Sequence, residues 1–242
     1  MGKKKLLELL PVVQLQGRSH QLFGVMNVLD LFISNLPKIL MATLVHVKYV
    51  IISVTLGSII AIIIASVLSR YKRLSKYILP IIGIFQTIPG IVFIGVLFVY
   101  TGMRPITVYI ALTVYAIFPV LKNTYAGILE VDDGLVEAAK GIGMTKWQSL
   151  FKVELPMATS AIFTGIRMAT VYTVSWAVLA AMIGQGGLGE FIYVGIDTNV
   201  QAYILMGAIP AALLAIVMGF IVDTLKSVVT ARTMRQGGQH EA

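Results

Sequence analysis

The sequence predicts an all-α protein, a polytopic membrane helical bundle, and three observations carry that prediction. Hydrophobic residues make up 57% of the 242-residue chain and charged residues only 12%, against roughly 45–50% and 25% in a soluble domain. Five runs are long and apolar enough to be spans: 49–69, 77–102, 106–121 continuing towards 129, 157–183 and 201–222. Each approaches the ~20 residues a helix needs to cross hydrocarbon. The runs are also continuous, whereas barrel strands would be ~9–11 residues long and alternate in polarity. A mean hydropathy of +0.88 argues against disorder and against an ordinary cytosolic enzyme. With no cysteine, there is no disulfide framework, thiolate metal site or thiol nucleophile.

The elements follow in order. The start, with Lys3, Lys4 and Lys5, imitates a signal-peptide n-region, but Glu8 and Pro11 interrupt the apolar stretch and no cleavage is expected. Leu6 stands where the myristoylation pattern needs Ser or Thr. Leu22, Met26, Leu29, Ile33 and Leu36 form one apolar stripe, with Asn27, Asp30 and Ser34 on another face. That pattern suits an amphipathic helix resting in the interface. The first span, 49–69, is free of formal charge and carries Ser53, Gly57, Ala61, Ala65 and Ser69 at every fourth position. Comparable ladders run through Ala161, Gly165, Ala169, Thr173, Ala177 and Ala181, and through Gly207, Ala211, Ala215 and Gly219. Small residues on one face let helix backbones approach closely in lipid. The second span holds Gln86, Thr87 and Pro89, and Pro89 is expected to bend it. The third reaches full length only by admitting Lys122. The fourth contains Arg167, about ten residues or ~15 Å into the run. An intramembrane arginine by default faces the bundle interior, either serving the pathway or bonding helix carbonyls.

Charge placement gives the orientation. Arg70, Lys72, Arg73 and Lys76 follow the first span, Lys140, Lys146 and Lys152 lie between the third and fourth, and Lys226, Arg232 and Arg235 follow the fifth. The loops on the other side hold only Arg104. The cation-rich side is therefore assigned to the cytoplasm. Lys3, Lys4, Lys5, Arg18, Lys38 and Lys48 at the N-terminal side oppose the rule. The chain divides into an N-terminal extension (1–46), a transmembrane domain (47–228) with a cytoplasmic loop at 130–156, and a polar tail (229–242).

That loop reads as two short helices. Asp132 or Asp133 caps the first, which shows Leu135, Ala138, Ala139 and Ile142 on one face, and Gly141 or Gly143 ends it. Thr145 with Gln148 forms a capping box for the second, which displays Trp147, Leu150 and Phe151; Pro156 is expected to close it. Apolar residues presented to the cytoplasm call for a docking partner, ahead of folding back on the bundle or reading DNA. No nucleic-acid partner is expected.

The run Glu137-Ala138-Ala139, then Gly143, then Val153-Glu154-Leu155-Pro156 resembles the EAA loop of bacterial ABC importer permeases. The family ends this pattern Ile-x-Leu-Pro, so Val153 is a conservative departure. Gln86-Thr87-Ile88-Pro89, the stretch 118–128 and Gly184-Gln185-Gly186-Gly187-Leu188-Gly189 are similar to the osmoprotectant subfamily, whose cargoes are glycine betaine, carnitine and choline. The resemblance covers about residues 45–228. It implies a type I ABC importer permease fold with about five core spans plus the N-terminal amphipathic helix, in a bacterial inner or plasma membrane. It further implies that Glu137, Ala138, Ala139, Gly143, Leu155 and Pro156 couple to an ATPase. The implied partners are two ABC ATPase subunits, a second permease copy or paralogue, an extracytoplasmic substrate-binding protein and the bilayer. Alternatives are the same machine for another cargo, such as methionine or a thiol betaine, or an ATP-independent carrier.

No GxxxxGK[ST] occurs, so ATP and magnesium are expected to belong to the partner ATPase subunits and no cofactor to this chain. His20, His46 and His240 lack ligand spacing, and no nucleophile–base pair is apparent; no catalytic residue and no metal site are expected. Gly184, Gly186 and Gly189 spell GxGxxG, but they follow a membrane helix rather than a strand and read as a tight external turn. Candidate pathway residues are Gln86, Thr87, Pro89, Asn123, Tyr125, Arg167, Tyr172 and Trp176. Tyr172 and Trp176 are four apart, and aromatic faces attract quaternary ammonium groups, although packing is the commoner use of such a pair.

Overall fold

A computed structural model describes residues 29–238. The expectations for Leu22, Met26, His20 and His240 lie outside those residues. Nearly all of the described chain is helical. Among the described residues four helices are apolar and long enough to span a bilayer singly, and one bent helix pair brings the number to five if the pair is counted as one broken span.

The first span is α1, Leu36–Arg70, at 35 residues far longer than the run expected from hydropathy. It continues through 46–47, where the extension was expected to end, so no backbone break marks that boundary. A turn at Asn35, whose side-chain amide donates to the Leu31 carbonyl at 2.9 Å, joins it to helical residues 29–34. Leu29, Ile33 and Leu36 of the expected stripe are exposed, while Leu31 and Phe32 pack near Ile39, Leu188 and Met206.

The second span departs most from expectation. Instead of one bent helix it is α2, Lys72–Phe85, and α3, Gly90–Thr101, meeting at 89°. Pro89 is not inside a helix but is the N-cap of α3, with ψ of 131°. A residue that lacks an N–H and precedes a fresh helical start breaks a helix outright unless the helical ladder is rebuilt around it. The third span is α4, Pro105–Leu129. The loop between the third and fourth spans holds α5, Asp133–Gly141, and α6, Lys146–Ser149. A π-helical turn, Leu150–Glu154, and one turn at Leu155–Met157 then lead into α7, Thr159–Ala177. Pro156 therefore does not close α6. The wide turn before it, with Leu155 N–H reaching the Leu150 carbonyl, makes room for the ring and lets the helical path run on into the span.

After α7 the chain tightens into a 3-10 segment, Val178–Ile183, turns at Gly184, and forms α8, Gly189–Asp197. Hydropathy alone gave no sign of this short helix. The last span, α9, runs from Gln201 to Gly238, so its helical backbone continues into the region expected as a tail.

The small-residue ladders sit where the helices meet. Ser53, Gly57, Ala61, Ala65 and Ser69 are all buried on α1. A Cβ added to Gly57 would stand 2.8 Å from Ala116 Cβ on α4, and one on Gly127 only 2.5 Å from Ala161 Cβ. The core between α1, α4 and α7 is closed by Val50, Val108, Leu112 and Val174, each at most 1% exposed.

Candidate coupling loop and translocation pathway

The loop at 130–156 is shaped by its own caps. Asp132 accepts hydrogen bonds from Gly134 N–H at 2.9 Å and Leu135 N–H at 3.3 Å, so the first of the two candidate aspartates is the N-cap of α5. Gly143, not Gly141, carries the left-handed backbone, with φ of +83°. Around it Met144 N–H bonds the Ala139 carbonyl at 3.0 Å and Gly143 N–H the Lys140 carbonyl at 2.9 Å. This pair of bonds is a Schellman motif. The capping box of α6 is complete in both directions between Thr145 and Gln148.

These caps fix which side chains face out. Glu137, Ala138 and Lys140 are exposed, whereas Ala139 is buried against the chain. Leu135 and Ile142 are 43% and 76% exposed. Trp147 and Phe151 stack at 6.2 Å on an outer face. Leu155 packs with Ile128, Leu150 and Ala158, and Pro156 is half-buried beside it, so these two anchor the loop to the span.

One contact at this end was not foreseen. Glu154, 4% exposed, pairs with Arg70 at the end of α1 and accepts from Ser149 Oγ at 2.8 Å. The loop is thereby tied to the first span as well as to the spans it connects.

In the membrane region, Gln86, Ile88 and Trp176 meet at a residue absent from the sequence expectations, Tyr115, with Pro89 next in the chain to Ile88. Pro119 inside α4 has no N–H for the Tyr115 carbonyl four residues back. Gln86 Nε2 donates to that carbonyl at 3.1 Å. The Tyr115 hydroxyl donates in turn to the Ile88 carbonyl at 2.7 Å, in the break between α2 and α3. Its ring stacks on Trp176 at 4.6 Å and 6°, and meets Phe93 edge-on at 5.5 Å. Thr87 lies apart from this cluster, exposed, with its hydroxyl turned to the Ile84 carbonyl.

Trp176 is thus a packing residue, with one face taken by Tyr115. Tyr172 does not join it and is 45% exposed. Gly90 explains the fit, because a Cβ there would lie 1.9 Å from Trp176 Cζ3. With Tyr115 stacked on the ring, the indole cannot retreat. Gly90→Ala is expected to cost about 1–3 kcal/mol by overpacking, read as a lowered melting temperature of the detergent-solubilised protein. Wild-type stability in Gly90→Ala would show that the ring moves freely.

Arg167 does not face the bundle interior. It lies on the seam between α7 and α9, about half exposed, and bonds Asp223 at 2.9 Å. Lys226 donates to Thr164 on the same seam at 3.3 Å. Ser160, Thr164, Arg167, Met168, Tyr172 and Ser175 form an exposed, largely polar face of α7. Asn123 stands near this helix, its amide donating to the Pro119 carbonyl at 2.7 Å and lying 3.8 Å from Met168 Sδ. Tyr125 is held away, its hydroxyl 2.7 Å from that of buried Ser75. Among the described residues no group of three or more His, Asp or Glu side chains is placed to hold a metal.

The glycine turn is built as expected for a tight turn, with φ of +68°, +69° and +84° at Gly184, Gly186 and Gly187. His46, read from sequence as an isolated histidine, is buried against it. At 0% exposure its Nε2 donates to the Val174 carbonyl at 2.9 Å, and its Nδ1 accepts from Leu188 N–H at 3.4 Å.

Comparison with known proteins places these features in context. Residues 53–235 match the family described as the binding-protein-dependent transport system inner membrane component. A carnitine transport permease protein of Listeria monocytogenes is 34% identical over 209 residues, covering 86% of this chain and 96% of its own length. A choline transport system permease protein of Bacillus subtilis is 36% identical over 203 residues, covering 84% and 94%. Among solved structures, the MetNI methionine ABC transporter in an inward-facing conformation aligns with a TM-score of 0.69 over 79% of this chain and 96% of its own, at 20% identity. An amino acid ABC transporter aligns with a TM-score of 0.62 over 83% and 96%, at 21% identity. At those identities the likeness is one of fold.

Proposed function

We propose, from the premise that this chain belongs to the family of binding-protein-dependent transport system inner membrane components, that it carries quaternary-amine osmoprotectants such as glycine betaine, carnitine or choline. The chain is a permease subunit of an ABC importer related to the osmoprotectant permeases, a polytopic inner-membrane protein and not an enzyme. The observation that carries the cargo reading is the pair of relatives named for carnitine and choline, matched over nearly their whole length at 34% and 36% identity.

In this reading the exposed side of α5, with Glu137 and Ala138, and the turn at Gly143 enter a cleft on an ATPase subunit. Ala138 permits close approach because its side chain ends at Cβ. Two such subunits hold ATP and magnesium, and their closure draws two permease loops together. Leu155 and Pro156 pass that displacement into α7. A second permease, identical or paralogous, completes the pathway, and an extracytoplasmic binding protein delivers cargo. The pathway runs along the exposed polar face of α7, with Asn123, Arg167 and Tyr172 at its wall. Gln86, Pro89 and Trp176 support that wall through Tyr115, with Thr87 at the exposed edge of the break and Tyr125 behind it. The transmembrane unit, 47–228 with its loop at 130–156, takes the first turns of α1 from the N-terminal segment 1–46, and 229–242 follows it.

The test is uptake of labelled glycine betaine at high osmolarity by cells lacking other betaine carriers, with unlabelled carnitine, choline and methionine as competitors. Saturable uptake that carnitine or choline suppresses and methionine does not is the expected result. Uptake absent for all three quaternary amines, with the assembled importer present, would discard the cargo.

A further inference from the structure

We propose that His46 and Tyr49 are positioning residues that latch the outer glycine turn to α1, so that displacement of the turn by a docked binding protein reaches the cytoplasmic loop through Arg70 and Glu154. The proposal rests on the importer reading above and extends it to a connection that reading does not contain.

The geometry begins with the change from α-helix to 3-10 helix after Ala177. There the Val178 N–H bonds the Trp176 carbonyl. The Val174 carbonyl, the i−4 acceptor that N–H would have used in a continued α-helix, takes the His46 Nε2–H at 2.9 Å. A carbonyl only accepts, so Nε2 holds the proton and Nδ1 is left with a lone pair. Leu188 N–H uses that lone pair at 3.4 Å. Both ring nitrogens are committed in a site with no exposure to solvent. Three residues later on the same helix face, the Tyr49 hydroxyl donates to the Gln185 carbonyl at 3.1 Å. Two side chains of α1 thus hold the turn near both its ends.

The turn has little freedom to slide on these contacts. A Cβ on Gly187 would sit 3.4 Å from His46 Nδ1, and one on Gly189 only 2.0 Å from the Val178 carbonyl oxygen. Leu188 is fully buried with Ile39 and Met206. Beyond the turn, the first turn of α8 carries exposed Glu190. At the opposite end of α1, about 36 Å away along the helix at ~1.5 Å per residue, Arg70 holds Glu154 of the coupling segment. One unbroken helix therefore has a buried polar attachment to the outer turn at one end and to the cytoplasmic loop at the other.

The test uses the complete importer reconstituted with its ATPase subunits and its binding protein loaded with glycine betaine. His46→Phe keeps an aromatic ring, a somewhat larger one, and loses both hydrogen bonds. It is expected to keep basal ATPase activity while stimulation by the loaded binding protein falls about tenfold. His46→Gln, which can donate and accept, restores part of the stimulation, and Tyr49→Phe loses a smaller share. Because the chain has no cysteine, Glu190→Cys gives the permease a single nitroxide site on α8, attached before the partner subunits are added. His46→Phe should raise the mobility of that label. Full stimulation and an unchanged nitroxide spectrum in His46→Phe would overturn the latch. A wild-type complex that the loaded binding protein does not stimulate would count against the importer reading instead, and the nitroxide spectra would still decide the latch. If His46→Phe fails to assemble, the same two readouts in Tyr49→Phe decide, with wild-type values in both overturning it.

Discussion

Gly143→Asp abolishes saturable uptake while the permease remains in the membrane and folded. The expectation comes from what surrounds the glycine and what does not. Its φ of +83° is a conformation in which a Cβ costs roughly 1–2 kcal/mol. Asp and Asn are the residues that tolerate that region best after glycine, so the helix end survives the change. Nor does the chain itself obstruct the new side chain, because apart from the adjoining residues no atom lies within 4 Å of a Cβ built there. The carboxylate therefore projects into space that this chain leaves empty and that the proposed ATPase cleft would fill. An unpaired charge buried on docking costs several kcal/mol, enough to remove the ATPase at cellular concentrations. Gly143→Asn isolates the charge, since its size and backbone preference are close to those of aspartate. We expect it to retain most uptake. Equal loss in both variants would assign the effect to backbone geometry. Normal uptake in Gly143→Asp with an assembled complex would remove the turn from the coupling surface.

The features that were legible in the sequence are local ones. The Asp132 cap, the Thr145–Gln148 box and the glycine end of α5 each rest on residues two to five positions apart, and each formed at a position the spacing offered. The small-residue ladders repeat every fourth position and proved to be the buried stripes of α1 and α7. What could not be read were pairings across the chain. His46 meets Val174 over 128 positions, Glu154 meets Arg70 over 84, and Arg167 meets Asp223 over 56. Arg167 was expected to face inward because an isolated membrane cation needs a polar environment. Asp223 supplies one at the surface of this chain. Pro89 carried a real signal, but hydropathy averages over the right-angle break it makes, and α8 is too short at nine residues to register as a span. Gln86 and Tyr115 hold the break together through a carbonyl freed by Pro119. That relation becomes visible only when the two helices are side by side.

The second large effect concerns the ion pair that anchors the loop. Arg70→Met and Glu154→Gln are each expected to destabilise the protein strongly, by about 3–5 kcal/mol, because each leaves a buried group without its partner. The side chains of Arg70 and Glu154 are only 16% and 5% exposed, so solvent screens the pair little. Their roles still differ. Glu154 also satisfies Ser149 Oγ, and Glu154→Gln preserves an acceptor for that hydroxyl while leaving Arg70 a buried cation with no counter-charge. Arg70→Met keeps an unbranched apolar stem and removes the guanidinium, which strands the carboxylate. The double variant Arg70→Met/Glu154→Gln contains neither charge. It should recover much of the melting temperature lost in the single variants, because an apolar side chain facing a neutral amide needs no counter-ion. Transport should not recover with it. The loop would again be folded, but the charge-assisted bond that makes α1 follow Glu154 would be missing. Melting curves and uptake rates for the four proteins separate these terms. Singles that each lose less than about 1 kcal/mol would class the pair with exposed salt bridges. A double variant restored in both stability and transport would show that α1 follows the loop through packing alone.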